Sequence, residues 1–179
     1  MYQGTPSLFA PVAESAYCGA GVLHAALLHL QGGVVRFFQG IPKASDDALW
    51  ANASFGDLRV EPGVVASAAR ENGRTRFVRI AIDASRASRS VLFGIDNDAD
   101  ERWTGQVPPQ ISSGGGEARV VAAPGVQPYT VWNLTLGPAT ADAYLYVTPD
   151  APDFGVAPVE GNSSLFHFFG YKFAMQPLH

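Results

Sequence analysis

Polar and apolar side chains alternate most regularly between Thr75 and Ile82, with Arg76, Val78, Ile80 and Ile82 on one side and Thr75, Phe77, Arg79 and Ala81 on the other. A period of two marks an extended strand whose two faces meet different surroundings. Asn72-Gly73 lies immediately before it. Both residues tolerate the positive φ of a type I′ turn, so segments 63–69 and 74–83 are expected to pair as a hairpin. From Gly33 onward the same punctuation recurs, as short apolar or alternating runs broken by Gly, Pro, Asn and Asp. It predicts strands at 34–39, 57–60, 63–69, 74–83, 89–95, 117–123, 128–136, 143–148 and 164–173. About nine short strands without an internal repeat predict a mainly β fold, an antiparallel β-sandwich that buries one face of each of two sheets. Pro108-Pro109 and the run Ser112 to Gly116 read as a loop, and Pro149 to Glu160 as a second one.

The segment before this region has a different pattern. Between Gly19 and Leu30 the apolar residues Val22, Leu23, Ala25, Ala26, Leu27, Leu28 and Leu30 fall on nearly every side of a helical projection. Such a helix is expected to be buried all round and to stop at Gly32-Gly33. The rest of the chain offers no second strong helical segment, so its packing partners are expected outside this sequence. The domain reading is therefore an N-terminal arm and helix over 1–32, followed by a sandwich domain over 33–179.

The sequence has 179 residues, room for one ordinary domain with attachments. Apolar residues make up 47% and charged residues 16%, which supplies a core and excludes general disorder. The net charge is −4 and the arginines are spread over strand-like segments, so nucleic acid is not an expected partner. No run approaches the roughly 18 apolar residues of a membrane span. Cys18 is the only cysteine, which rules out an intramolecular disulfide framework and a cysteine-rich zinc site. Three of the five asparagines, Asn52, Asn133 and Asn162, stand in glycosylation sequons. That enrichment predicts an extracellular or secretory-pathway glycoprotein. Residues 1–15 lack the basic and apolar regions of a signal peptide, so the export signal is expected upstream of Met1.

The order of elements from Glu14 to Ile80 resembles the C-terminal part of glycoside hydrolase family 95, the α-L-fucosidase-type enzymes. The family pattern runs from a catalytic-loop acid and a Gly-containing turn through a buried helix to Gly, a strand and an aliphatic-Pro step. This chain has Glu14, Gly19, the run Ala26-Leu27-Leu28-His29-Leu30-Gln31, Gly32-Gly33, Val34 to Phe38 and Ile41-Pro42. Downstream it has Ala53-Ser54-Phe55-Gly56-Asp57-Leu58-Arg59, then Gly63 to Ala68, Asn72-Gly73 and Phe77 to Ile80. The resemblance implies that the helix ends an (α/α)6 barrel whose other members lie upstream, and that the sandwich follows it. It also implies inverting hydrolysis, which needs two carboxyl groups roughly 6.5–9.5 Å apart. Glu14 falls at the position of the family's general base, where Glu replaces Asp. The general acid would belong to the missing barrel, so the chain alone is not a complete catalyst. Read without the resemblance, Glu14 is a carboxylate near a helix start.

Two classes of function stay open: the tail of such a hydrolase, or a non-catalytic secreted β-sandwich module for carbohydrate binding or extracellular assembly. Expected partners are a glycan, the missing barrel or another subunit, and a second copy of the chain through its apolar helix. No cofactor or metal is expected. His24 and His29 are five residues apart, off the spacing that places two ligands on one helix face, and read as buried or interface histidines. Asp96, Asp98 and Asp100 mimic half of a calcium loop but lack its Gly and final Glu, and read as a polar turn. Trp50, Trp103, Trp132, Tyr144, Tyr146 and Tyr171 have rings able to stack on sugars or to fill the core. Trp103, beside Asp100, Glu101 and Arg102, is the candidate for an exposed stacking residue.

Overall fold

The computed structural model describes residues 21–41, 51–95, 98, 101–103, 107–123, 130–147 and 154. The chain divides into two compact units, one formed by 24–157 and the other by 1–23 with 158–179. Of the second unit only 21–23 are described, and they are helical. Glu14, Cys18, Trp50, Asn162, Tyr171 and the expected strand at 164–173 lie outside the described residues.

The larger unit is an antiparallel-dominated β-sandwich of two five-stranded sheets. Its strands are β1 (Leu28–Gln31), β2 (Val34–Phe37), β3 (Ala53–Glu61), β4 (Val64–Glu71), β5 (Arg74–Ile82), β6 (Ser90–Ile95), β7 (Gln110–Ser113), β8 (Ala118–Ala122), β9 (Trp132–Leu136) and β10 (Asp142–Tyr146). One sheet has the order β1-β2-β6-β9-β8, the other β3-β4-β5-β10-β7. Only β2 and β6 pair in parallel among these neighbours.

The hairpin expected at Asn72-Gly73 is present. Glu71 pairs with Arg74, and the two turn residues have φ of 49° and 74°. The turn is anchored by the preceding chain, since Asn72 N donates to Asn52 Oδ1 at 2.8 Å and Gly73 N to Ala51 O at 2.7 Å. Between Arg70 and Ala69 the register shifts by one residue, and beyond that irregularity Val64, Ala66 and Ala68 lie opposite Ile82, Ile80 and Val78, all six buried. From the other sheet, Val91, Phe93 and Ile95 of β6 and Trp132, Leu134 and Leu136 of β9 are buried. Phe55 of β3 links the two sheets: its ring stacks on Phe37 of β2 at 6.2 Å and meets Phe38 edge-on at 5.6 Å.

The N-terminal elements depart from the sequence reading. Residues 21–27 are helical, but Leu28–Gln31 form a strand that pairs with Val34–Phe37. Gly32 and Gly33, with φ of 58° and 78°, are the hairpin turn between them and not a helix stop. Cross-strand pairing here overrides the helical propensity of the Ala-Leu-Leu run. The sheet thus begins before the expected boundary at residue 32. The apolar run is shared between two elements, which leaves Leu27 and Leu28 buried while Val22 is 69% exposed. His24 and His29, read as buried or interface histidines, are exposed in this chain, which removes the buried alternative. After β2 the chain returns past the helix end, with Phe38 N donating to Leu27 O and Gly40 N to Ala26 O. A Cβ at Gly40 would lie 2.7 Å from Ala26 Cα, so only glycine fits that approach.

Trp103 corrects a second expectation. It is fully buried, and cannot stack on a sugar from the surface. Its Nε1 donates to Thr75 O at 3.1 Å, while its own carbonyl accepts from Trp132 Nε1 at 3.1 Å. Asp98, also buried, accepts from Thr75 N at 2.6 Å. The polar stretch between β6 and β7 therefore satisfies the backbone at the start of β5, and its tryptophan fills the space between β5 and β9. Burial holds the neighbouring Arg70 guanidinium below its ordinary pKa, against the charge of Asp98.

The inter-sheet phenylalanine contact generates a stability prediction. Phe55→Ala removes a buried ring that touches two others, and the expected cost is about 3–5 kcal/mol in urea unfolding. A loss below about 1 kcal/mol would show that the two sheets do not depend on this contact.

Candidate functional site

The outward face of β4, β5 and β10 carries the chemistry. Because side chains alternate, the register that buries Val78 and Ile80 sends Phe77, Arg79 and Ala81 outward. Ser67 lies opposite Arg79, and Tyr144 of β10 lies opposite it on the other side. Asp142 pairs with Ala81 in the same ladder.

Asp57 reaches this face through a β-bulge. Between the pairs Phe55–Ala68 and Leu58–Ala66, Gly56 and Asp57 together face the single residue Ser67. Strict alternation from the buried Phe55 would send position 57 into the core. The extra residue turns Asp57 outward instead and returns Leu58 to the row of Ala66. Asp57 has φ of 54°, a left-handed conformation that is uncommon for a residue with a side chain. Ser67 supports it, its Oγ accepting from Asp57 N at 2.9 Å and donating to Asp57 Oδ1 at 3.4 Å.

Arg79 ties the carboxylates together. Its Nη1 donates to Asp57 Oδ1 and its Nε to Asp142 Oδ2, each at 2.7 Å. Its guanidinium carbon lies 5.9 Å from the centre of the Tyr144 ring. Burial works against the Arg79 charge, but the hydrogen bond and charge of Asp142, together with Tyr144 and Asp57, outweigh it and hold the pKa above its ordinary value. The Asp57 side chain is 75% exposed. Ion pairs of that kind contribute only about 0.2–1 kcal/mol. The Asp57 pair therefore adds little to the fold's stability, and the network fixes the direction of two acceptor groups and one donor at the surface.

An aromatic cluster adjoins it. Phe77 is buried beneath Tyr144 and Phe154, at 5.8 and 5.5 Å between ring centres. Phe154 also meets Tyr144 at 4.3 Å and Tyr146 at 5.8 Å. Tyr144, Tyr146 and Phe154 are each half-buried. Part of each ring is thus open to solvent above the buried Phe77.

On the other side of Arg79, a groove of about 370 Å³ is lined by residues that include Arg59, Val65, Ala81, Asp83, Arg89 and Thr140. Arg89 supports its wall: Nη1 donates to the carbonyls of Ile82 at 2.6 Å and Asp83 at 2.9 Å, and Nη2 to that of Thr140. The Asp83 carboxylate accepts from Ser85 N and Ser85 Oγ, both at 2.8 Å. These two bonds, and then the charges of Arg89 and Arg59, hold its pKa below the ordinary carboxylate value.

Of the described residues singled out in the sequence, the structure brings Tyr144 and Tyr146 to this face and leaves the other described ones elsewhere. Asn52 is exposed just before β3. Its Oδ1 is engaged by Asn72, and its Nδ2, where a glycan would attach, makes no hydrogen bond among the described residues. Asn133 stands within β9, between Leu92 of β6 and Val121 of β8, with Oδ1 buried and lacking a hydrogen-bond partner. Arg79, Asp57 and Asp142 were not singled out by the sequence reading. Among the described residues no three His, Cys, Asp or Glu gather as a metal site. No helix among them is long and apolar enough to cross a membrane.

The Asp83 environment predicts a titration. A carboxylate depressed in the native state stabilises it fully above the ordinary carboxylate pKa, and that contribution is lost as pH falls through the native value. Carboxyl NMR is expected to place Asp83 below a model aspartate, and Ser85→Ala to move it back upward. An unshifted Asp83, or no response to the substitution, would contradict the hydrogen-bonded geometry. Compared with known proteins, the sequence matches no family model and has no significant match among curated proteins.

Proposed function

We propose that this chain is a non-catalytic β-sandwich module that binds carbohydrate through the outward face of β4, β5 and β10. The observation that carries the reading is Arg79 holding Asp57 and Asp142 beside three half-buried aromatic rings. Ionised carboxylates accept hydrogen bonds only, and a guanidinium donates only. Set side by side in fixed directions, they match the mixed donors and acceptors of adjacent sugar hydroxyls. Tyrosine and phenylalanine rings offer an apolar surface to the C–H face of a pyranose, with a polar tip at its rim. The positive φ of Asp57 supports a functional role, because a strained position is retained where its surroundings impose it.

The resemblance to glycoside hydrolase family 95 fits this module as an accessory domain following a catalytic barrel. The segments that carry the resemblance form strand Val34–Phe37, part of strand Ala53–Glu61 and the hairpin at Asn72-Gly73. The helix that would close the barrel stops at residue 27, short of the family run. The binding reading therefore rests on the sheet face and not on Glu14.

Isothermal titration with neutral oligosaccharides provides the test. Tyr144→Ala and Arg79→Leu are each expected to weaken binding at least about tenfold. Arg119→Ala, an exposed change on β8 of the other sheet, is expected to leave it unaltered. Equal affinity in all three variants would remove this face from consideration.

A further inference from the structure

We infer that the groove beside Arg59 is a subsite for an anionic substituent, a carboxylate or a sulfate ester, on the glycan bound at the Arg79 face. This rests on the carbohydrate-binding reading. The groove is continuous with that face, because Ala81 follows Arg79 by two positions on β5 and Asp142 stands opposite Ala81. Two strand residues span about 7 Å, so the groove begins about one pyranose ring from the Arg79 network. Its floor includes Val65 and Ala81, whose short side chains leave the volume open.

The charges in this region are not equally available. Arg79 is held by Asp57 and Asp142, and Arg86 is paired with Glu61 at 2.7 Å. Arg89 has its two terminal nitrogens on backbone carbonyls, which orients the guanidinium without cancelling its charge. Asp83 is the one carboxylate among the groove residues, and both bonds to its Oδ1 come from Ser85. Among the lining residues two arginines stand against one aspartate, while the adjoining Arg79 holds two carboxylates, so the positive excess is confined to the groove side. Arg59 is exposed, lines the groove and forms no direct ion pair among the described residues, its charge acting on Asp83 at longer range. A guanidinium presents paired N–H groups that suit the paired oxygens of a carboxylate or sulfate. The net charge of −4 acts over longer distances and is screened beyond about 8 Å at physiological ionic strength, so the local arrangement dominates at contact.

The probes are three tetrasaccharides of matched length: neutral galactose, galacturonic acid and sulfated galactose. In titrations at low salt, at least one anionic probe is expected to bind about tenfold more tightly than the neutral one. In Arg59→Gln the ratio of anionic to neutral affinity should fall below about twofold, and added salt should lower it in the wild type. Preference for galacturonate alone identifies a carboxylate subsite, preference for the sulfated probe alone a sulfate subsite, and both together a general anion subsite. If neutral and anionic probes bind equally and still depend on Tyr144, the anion subsite is overturned while the carbohydrate reading stands. A ratio unchanged in Arg59→Gln also overturns it. Failure of all three probes to bind the wild type removes both.

Discussion

The register of β4 against β5 is the constraint on which the core and the proposed binding face both depend. A turn of two residues, each with positive φ, sets Glu71 opposite Arg74 and Arg70 opposite Thr75, and a register shift of one residue between Arg70 and Ala69 then sets Ala69 opposite Phe77 and fixes every pair beyond it. In that register Val64, Ala66, Ala68, Val78, Ile80 and Ile82 form one buried row, while Ser67 and Arg79 face outward together. A slip of one residue would exchange the two faces, placing a guanidinium in the core and aliphatic side chains in water. The cost of burying an unpaired charge excludes that alternative. Turn chemistry and hydrophobic burial thus specify one arrangement, and the surface chemistry follows from it.

The bulge in β3 is a second departure from regular pairing that the face requires, beside the register shift between Ala69 and Arg70 that sets Ser67 opposite Arg79. It adds one residue, which moves Asp57 from an inward to an outward position without displacing Phe55 from the inter-sheet contact. The resulting left-handed backbone is unfavourable, and it is offset by the Ser67 hydroxyl and the Arg79 guanidinium. The same two groups that relieve the strain aim the carboxylate. Stability and binding geometry are coupled at Asp57, whereas Asp83 is arranged by its own neighbour Ser85 and belongs to the groove.

Much of the sandwich was readable in advance because alternation and turn residues agree along β4 and β5. Strands β6, β8, β9 and β10 were anticipated to within a few residues at most ends by the same logic. Two strands were not. Leu28–Gln31 carries helix-forming residues, and only its pairing with β2 makes it extended. Gln110–Ser113 lies between a Pro-Pro step and a glycine run, so it read as loop until β10 supplied a partner at Ser112 and Ile111. Trp103 misled because its sequence neighbours are polar, while its ring is turned between the sheets to reach Thr75 and Trp132. The site was harder to see. Asp57 and Asp142 lie 22 and 63 positions from Arg79, and nothing in local pattern joins them. The available signal was an arginine at an outward position of the most regular strand, together with two tyrosines on β10.

The central claim is that ligand contact is confined to the outer face of the sheet β3-β4-β5-β10-β7. Amide chemical-shift mapping during titration with an oligosaccharide tests it most directly. The predicted result is a contiguous set of perturbations at Asp57, Arg59, Ser67, Arg79, Asp142, Tyr144 and Tyr146, with β6, β8 and β9 unchanged. Perturbations centred on those three strands, or scattered over both sheets without this set, would contradict the account.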